Sequence, residues 1–135
     1  MAYSNIAPLT IAVPDGTAAS VATGVSGVIR APFRGKLLEA GTMLGSTIAT
    51  ADATCTLSIA GTAVTGGSWV VTQSGSAIGD LDFAATSGVG NNGTSANSTI
   101  TAANTCNEGD LIKFAFTGSG TGGGNVYCYA VIQRT

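Results

Sequence analysis

Few side chains in this sequence could do covalent chemistry, and each lacks the partner it would need. The 135 residues include no histidine. Serine and cysteine nucleophiles need a base that accepts a proton near neutral pH, so the usual routes to acyl transfer lose that base. A serine–lysine pair would have to use Lys36 or Lys113, and neither stands in a Ser-x-x-Lys motif. No catalytic residue is assigned, and the chain reads as a non-enzyme. The three cysteines, Cys55, Cys106 and Cys128, show no metal-ligand spacing. Met1-Ala2-Tyr3-Ser4 opens without the charged and apolar regions of a secretory leader. An odd cysteine count without a leader predicts reduced, buried thiols.

Weaker constellations each have a plain structural alternative. Asp80-Leu81-Asp82 would put two carboxylates on one face of a strand, a start toward the about six to eight oxygens that calcium takes. Charges on an edge strand that discourage unwanted pairing explain the same pattern. Glu108-Gly109-Asp110 reads as a turn in which Gly109 takes a positive φ and Asp110 caps a backbone amide. The glycine-rich run Gly118–Gly124 lacks the Gly-Lys-Ser/Thr ending of a phosphate loop and reads as a hairpin tip. Asn92-Gly93-Thr94 and Asn97-Ser98-Thr99 match the glycosylation pattern, which needs a secretory route to matter. No cofactor and no metal are expected. Trp69, Tyr127 and Tyr129 could stack on sugar rings; core packing or a subunit interface explains the same residues. Arg30, Arg34 and Lys36 flank a turn and have the chemistry to grip acidic residues of a partner.

The elements that must position these residues are strands. No window sustains a helical apolar period, while β-branched runs bounded by Gly, Asn and Asp recur. The spacing predicts strands at 9–13, 27–31, 36–44, 54–59, 62–65, 69–73, 111–116 and 125–134. Cys55, Leu57 and Ile59 alternate with Thr54, Thr56 and Ser58, which puts Cys55 on the apolar face. Ala60-Gly61 and Gly66-Gly67 are expected to punctuate hairpins. Residues 74–97 are a long polar region expected to contain a loop. The last run, Asn125–Arg134, is apolar on both faces, as in a central strand or one buried against a partner. About seven or eight short strands predict one all-β domain over residues 1–135, a single β-sandwich, jelly-roll-like or immunoglobulin-like, with an N-terminal arm of about ten residues.

Composition bounds the partners. Charged residues are 9 % and aromatics 6 %, against 44 % hydrophobic overall. The charged fraction is far below the roughly 25 % of an ordinary soluble domain. A skin of Thr, Ser and Gly is easily desolvated, which suits a surface covered in an assembly. A rigid β module with a neutral exterior has the same composition. The net charge of −2 predicts no nucleic-acid partner, and no apolar run is long enough to predict a spanning helix.

Several stretches carry a resemblance: Ile48-Ala49-Thr50-Ala51-Asp52-Ala53-Thr54, Ile59 through Gly67, Gln73 through Asp80, Asn104 through Ile112, and Val131-Ile132-Gln133-Arg134. Over roughly residues 28–134, with 84–99 poorly matched, the chain resembles the decoration, or cement, proteins of tailed-phage capsids. The resemblance implies a β-sandwich, often a homotrimer, made in the host cytoplasm and bound to the major capsid protein on the outer surface of the virion. It supplies no catalytic residues and no motif for the contact positions. On this expectation Tyr3, Asn5 and Ile6 of the arm, with Arg30, Arg34 and Lys36 of the turn, touch the capsid. Tyr127 and Tyr129 are expected at the interface between copies. The alternative is a phage head-fibre or tail module that binds glycans; a self-assembling pilus-like subunit is a more distant rival.

Overall fold

Alternation of apolar and polar residues dictates strands that bury one face, and two such sheets must cover each other. A computed structural model describes residues 9–12, 19–20, 26–90, 93–117 and 124–135. Its strands in chain order are β1 (Leu9–Ala12), β2 (Ala19–Ser20), β3 (Gly27–Arg30), β4 (Gly35–Leu44), β5 (Ala53–Ile59), β6 (Thr62–Val71), β7 (Leu81–Ala85), β8 (Ser98–Thr99), β9 (Thr105–Cys106), β10 (Leu111–Thr117) and β11 (Asn125–Arg134). The fold is an all-β sandwich. One sheet runs β1-β11-β4-β7-β8, with β2 also on β11 and β9 also on β4; the other runs β3-β10-β5-β6.

The strand order settles the topology. Among the eight strands of four residues or more, the first pairs with the last, the second with the seventh, the third with the sixth and the fourth with the fifth: β1·β11, β3·β10, β4·β7 and β5·β6. All four pairs are antiparallel. Such nesting is a long two-stranded ribbon rolled up on itself, the jelly roll, and it excludes the immunoglobulin-like order.

The core lies between the sheets. Cys55, Leu57 and Ile59 of β5 face Ile112, Phe114 and Phe116 of β10 within one sheet, and Leu37, Ala40, Cys128, Ala130 and Ile132 close over them from the other. The Trp69 indole meets the Phe114 ring edge-to-face, centroids 6.2 Å apart. Its N–H donates across the sandwich to the Thr42 hydroxyl at 3.1 Å, so this buried polar pair is satisfied. Burial raises the pKa of Cys55, with the nearby Cys128 thiol adding to the effect, and burial also raises that of Cys106. All three cysteines are buried and none is in a disulfide, and Cys55 and Cys106 are core thiols rather than reactive thiolates.

Several expectations are corrected. Gly66-Gly67 does not separate two strands. β6 runs unbroken from Thr62 to Val71, and a register shift against β5 between Thr56 and Ser58 absorbs the glycines as a bulge. The polar stretch 74–97 contains a strand, β7, whose apolar run is too short to stand out. Ala60-Gly61 does close the β5–β6 hairpin, with φ of 48° and 83°. The strand expected from Leu9 is β1, Leu9–Ala12. The expected hairpin tip at 118–124 lies outside the described residues except for Gly124.

Candidate interaction surfaces

On the outward side of the larger sheet, the register lines up three cross-strand rows over β11, β4 and β7. They are Tyr127–Met43–Leu81, Tyr129–Gly41–Phe83 and Val131–Glu39–Ala85. Exposure changes sharply from row to row. Val131, Glu39, Ala85 and Phe83 are buried, although Phe83, Ala85 and Val131 are outside the inter-sheet core. Tyr127, Met43 and Leu81 are 56 %, 41 % and 36 % exposed.

Gly41 makes the middle row possible. A Cβ there would lie 2.6 Å from both the Tyr129 ring and the Phe83 Cβ, so only glycine lets the ring lie across the strand. The Tyr129 hydroxyl donates to Glu39 Oε1 at 2.6 Å. Burial first, then this bond and the carboxylate charge, push the Tyr129 pKa above the ordinary tyrosine value, so it remains a neutral donor. Tyr129 is thus half-buried with its polar end committed inside the chain, whereas Tyr127 presents its ring to solvent.

The exposed row continues into the turn before β7. The turn is held by backbone bonds from Gly79 N to Leu44 O (2.7 Å) and from Leu44 N to Asp80 O (2.9 Å), and it carries Ile78, 75 % exposed. Asp80 and Asp82 lie on either side of Leu81 in the chain. Asp80 accepts the Ala77 amide at 2.7 Å, and Asp82 accepts the Asn97 side-chain amide at 3.1 Å. These are local structural bonds, and among the described residues no group of three or more metal-ligating side chains gathers.

At the other end of the strands the cations collect. Arg30 closes β3, Arg34 sits in the β3–β4 turn and Lys36 is the second residue of β4. The fold adds two cations that are distant in sequence. Arg134 at the end of β11 pairs in register with Gly35, and Lys113 of β10 pairs with Val28 of β3. These are all five Lys and Arg residues of the chain. Arg30 donates to the Gly109 carbonyl at 3.3 Å, and the Arg134 guanidinium lies 4.6 Å from the centre of the Phe33 ring, a cation–π contact. Both partners are neutral. Backbone bonds of 2.8 Å from Ala31 to Asp110 and from Gly109 to Ala31 lock the 107–110 turn against the exit of β3. A shallow recess lined by Arg30, Ala31, Pro32, Glu108 and Gly109 results.

The structure therefore places Arg30, Arg34 and Lys36 at one end of the sandwich, Arg30 on the smaller sheet and Lys36 on the larger. It sets Tyr129 and Tyr127 farther along the larger sheet, in register with Gly41 and Met43 rather than with Gly35 and Lys36. Tyr3, Asn5 and Ile6 lie outside the described residues. Trp69 is buried, so it forms no surface platform with the tyrosines. Sequence reasoning missed Lys113, Arg134, Met43, Leu81 and Ile78. The exposed partner positions in β4 and β10 were legible as alternation, but which strands lie side by side was not. No family model, curated protein or solved structure matches the chain.

Proposed function

We propose that this protein is a structural virion protein that binds the outside of an assembled phage capsid and stabilises it. Its partners are the major capsid protein and further copies of itself, in a homotrimer. The observation that carries the reading is the exposed apolar row Tyr127–Met43–Leu81 on a rigid jelly roll with few charged residues. A monomer gains nothing by displaying three large apolar side chains across three adjacent strands, whereas a subunit of an assembly buries them. The resemblance over residues 28–134 supplies the kind of assembly. The mechanism is mass action: a ligand that binds the closed lattice but not the separated subunits raises the free energy needed to take the lattice apart. The many copies of the binding site on one shell add avidity.

The glycan-binding reading relied on Trp69 as a stacking surface, and the burial of that residue leaves Tyr127 as the exposed ring of the trio. The test of the capsid reading is co-sedimentation of the purified protein with undecorated, expanded capsids of its phage. Saturation at a fixed number of copies per lattice position is the expected result; protein left in the supernatant at every concentration overturns it.

A further inference from the structure

Charge is segregated along the strand axis. The five cations occupy one end of the sandwich, with Arg30 and Lys113 on the outer face of the smaller sheet and Lys36 on that of the larger. Asp52, which precedes β5, and Asp80 and Asp82, around the start of β7, occupy the opposite end. Among the described residues the cationic end also holds Glu108 and Asp110, so five cations stand against two side-chain carboxylates there; Asp110 is occupied in capping the Asn107 amide at 2.8 Å. On the outer face of the smaller sheet, Arg30 pairs with Leu111 and Lys113 with Val28. All four side chains are exposed, with Val28 at 41 % and Leu111 at 45 %. Cations and apolar groups thus alternate over two neighbouring strands.

We propose that this cationic end is the face laid against the shell, docking an acidic protein surface with apolar contacts between its charges, while the acidic end points away. The inference rests on the capsid reading and gives it an orientation and a partner chemistry. Opposite charge across an interface steers encounter and fixes register. A chain with a net charge of −2 approaches an acidic surface favourably only through the end where its cations are gathered. The interleaving favours protein over nucleic acid. A phosphate backbone presents only negative charge and would be repelled by Glu108, whereas a protein rim offers both signs and apolar groups to meet Val28 and Leu111.

The experiment is the capsid co-sedimentation repeated with two double variants across a salt series from about 50 to about 500 mM. Lys36→Glu/Lys113→Glu reverses two exposed cations, one on each sheet, and Asp52→Lys/Asp80→Lys reverses charge at the far end. Thermal melts of the free proteins check that each variant folds. The inference expects wild-type binding to weaken as salt rises. It expects the lysine variant to lose about tenfold or more in affinity at low salt and the aspartate variant to bind at least as well as wild type. Wild-type affinity in the folded lysine variant overturns the inference and leaves the decoration role standing. So does a loss confined to a folded aspartate variant, which would reverse the orientation. Lysine-dependent binding to duplex DNA that matches capsid binding in affinity overturns it in favour of a polyanion site. Absence of wild-type binding at every salt concentration instead removes the capsid reading beneath it.

Discussion

Asp82 shows how one side chain can carry a cost that its neighbours only partly offset. Burial raises its pKa above the ordinary carboxylate value, the bond from Asn97 lowers it, and the charge of Asp80 raises it again. A carboxyl whose folded pKa is raised favours the fold while protonated, and that contribution is lost as pH rises through the folded value. At neutral pH the ionised group therefore works against the fold. Asp82→Asn keeps a carbonyl to accept from Asn97 and removes the charge. The melting temperature should rise at pH 7, and the gain should vanish below about pH 3, where wild type is itself protonated. A gain equal at both pH values would assign the effect to something other than charge. The same reading applies to Tyr129, whose bond to Glu39 makes it an unsuitable probe of any interface, since its replacement would disturb a buried pair.

At the scale of elements, the bulge in β6 joins the strand to the segment that crosses it. Thr65 donates to Ala102 O at 3.0 Å, Thr101 donates to Thr65 O at 2.9 Å, and Ser98 Oγ donates to Gly66 O at 2.8 Å. These bonds cover part of what would be an open sheet edge, a known route to unwanted pairing. Gly66 has φ of +78°, and a Cβ there would collide with the Thr99 carbonyl. Gly66→Ala should therefore cost more than about 1 kcal/mol, measured by urea denaturation. Hydrogen exchange at Thr65 and Thr101 should accelerate more than at the core strand β10. Uniform acceleration would indicate general destabilisation instead. The two adjacent glycines read as a hairpin in sequence because a bulge uses the same backbone freedom as a turn; only the partner strand distinguishes them.

For the whole molecule, the cationic end and the Tyr127–Met43–Leu81 row lie toward opposite ends of β4, so binding a shell and binding another copy need not compete. If the Tyr127–Met43–Leu81 row joins copies, Tyr127→Asp combined with Met43→Lys, an opposite-charge cross-strand pair, should convert a trimer to a monomer in a light-scattering mass measurement. Both side chains are exposed, so the melting temperature extrapolated to low protein concentration should barely change. An unchanged trimer would move the self-contact elsewhere. Under the capsid reading, the monomeric variant should still bind shells through its cationic end, but more weakly, because linked copies gain effective concentration.

Local pattern determined much about this protein. Alternation in Cys55–Ile59 and Ile112–Phe116 specified which residues face inward, because side-chain direction in a strand has a period of two whatever the partner. Turn chemistry at Ala60-Gly61 and Asn107–Asp110, the buried character of the thiols and the cationic turn at Arg30–Lys36 were legible for the same reason: each depends on residues adjacent in the chain. Only tertiary structure decided the nested strand pairing that makes this a jelly roll, the burial of Trp69, and the difference between Tyr127 and Tyr129, two residues apart on one face. It alone brought Lys113 and Arg134 to Arg30 and Lys36, and set Tyr127, Met43 and Leu81 side by side. Those relations join residues tens of positions apart, and strand pairing across such separations is fixed by how the two sheets close over a shared core rather than by local sequence.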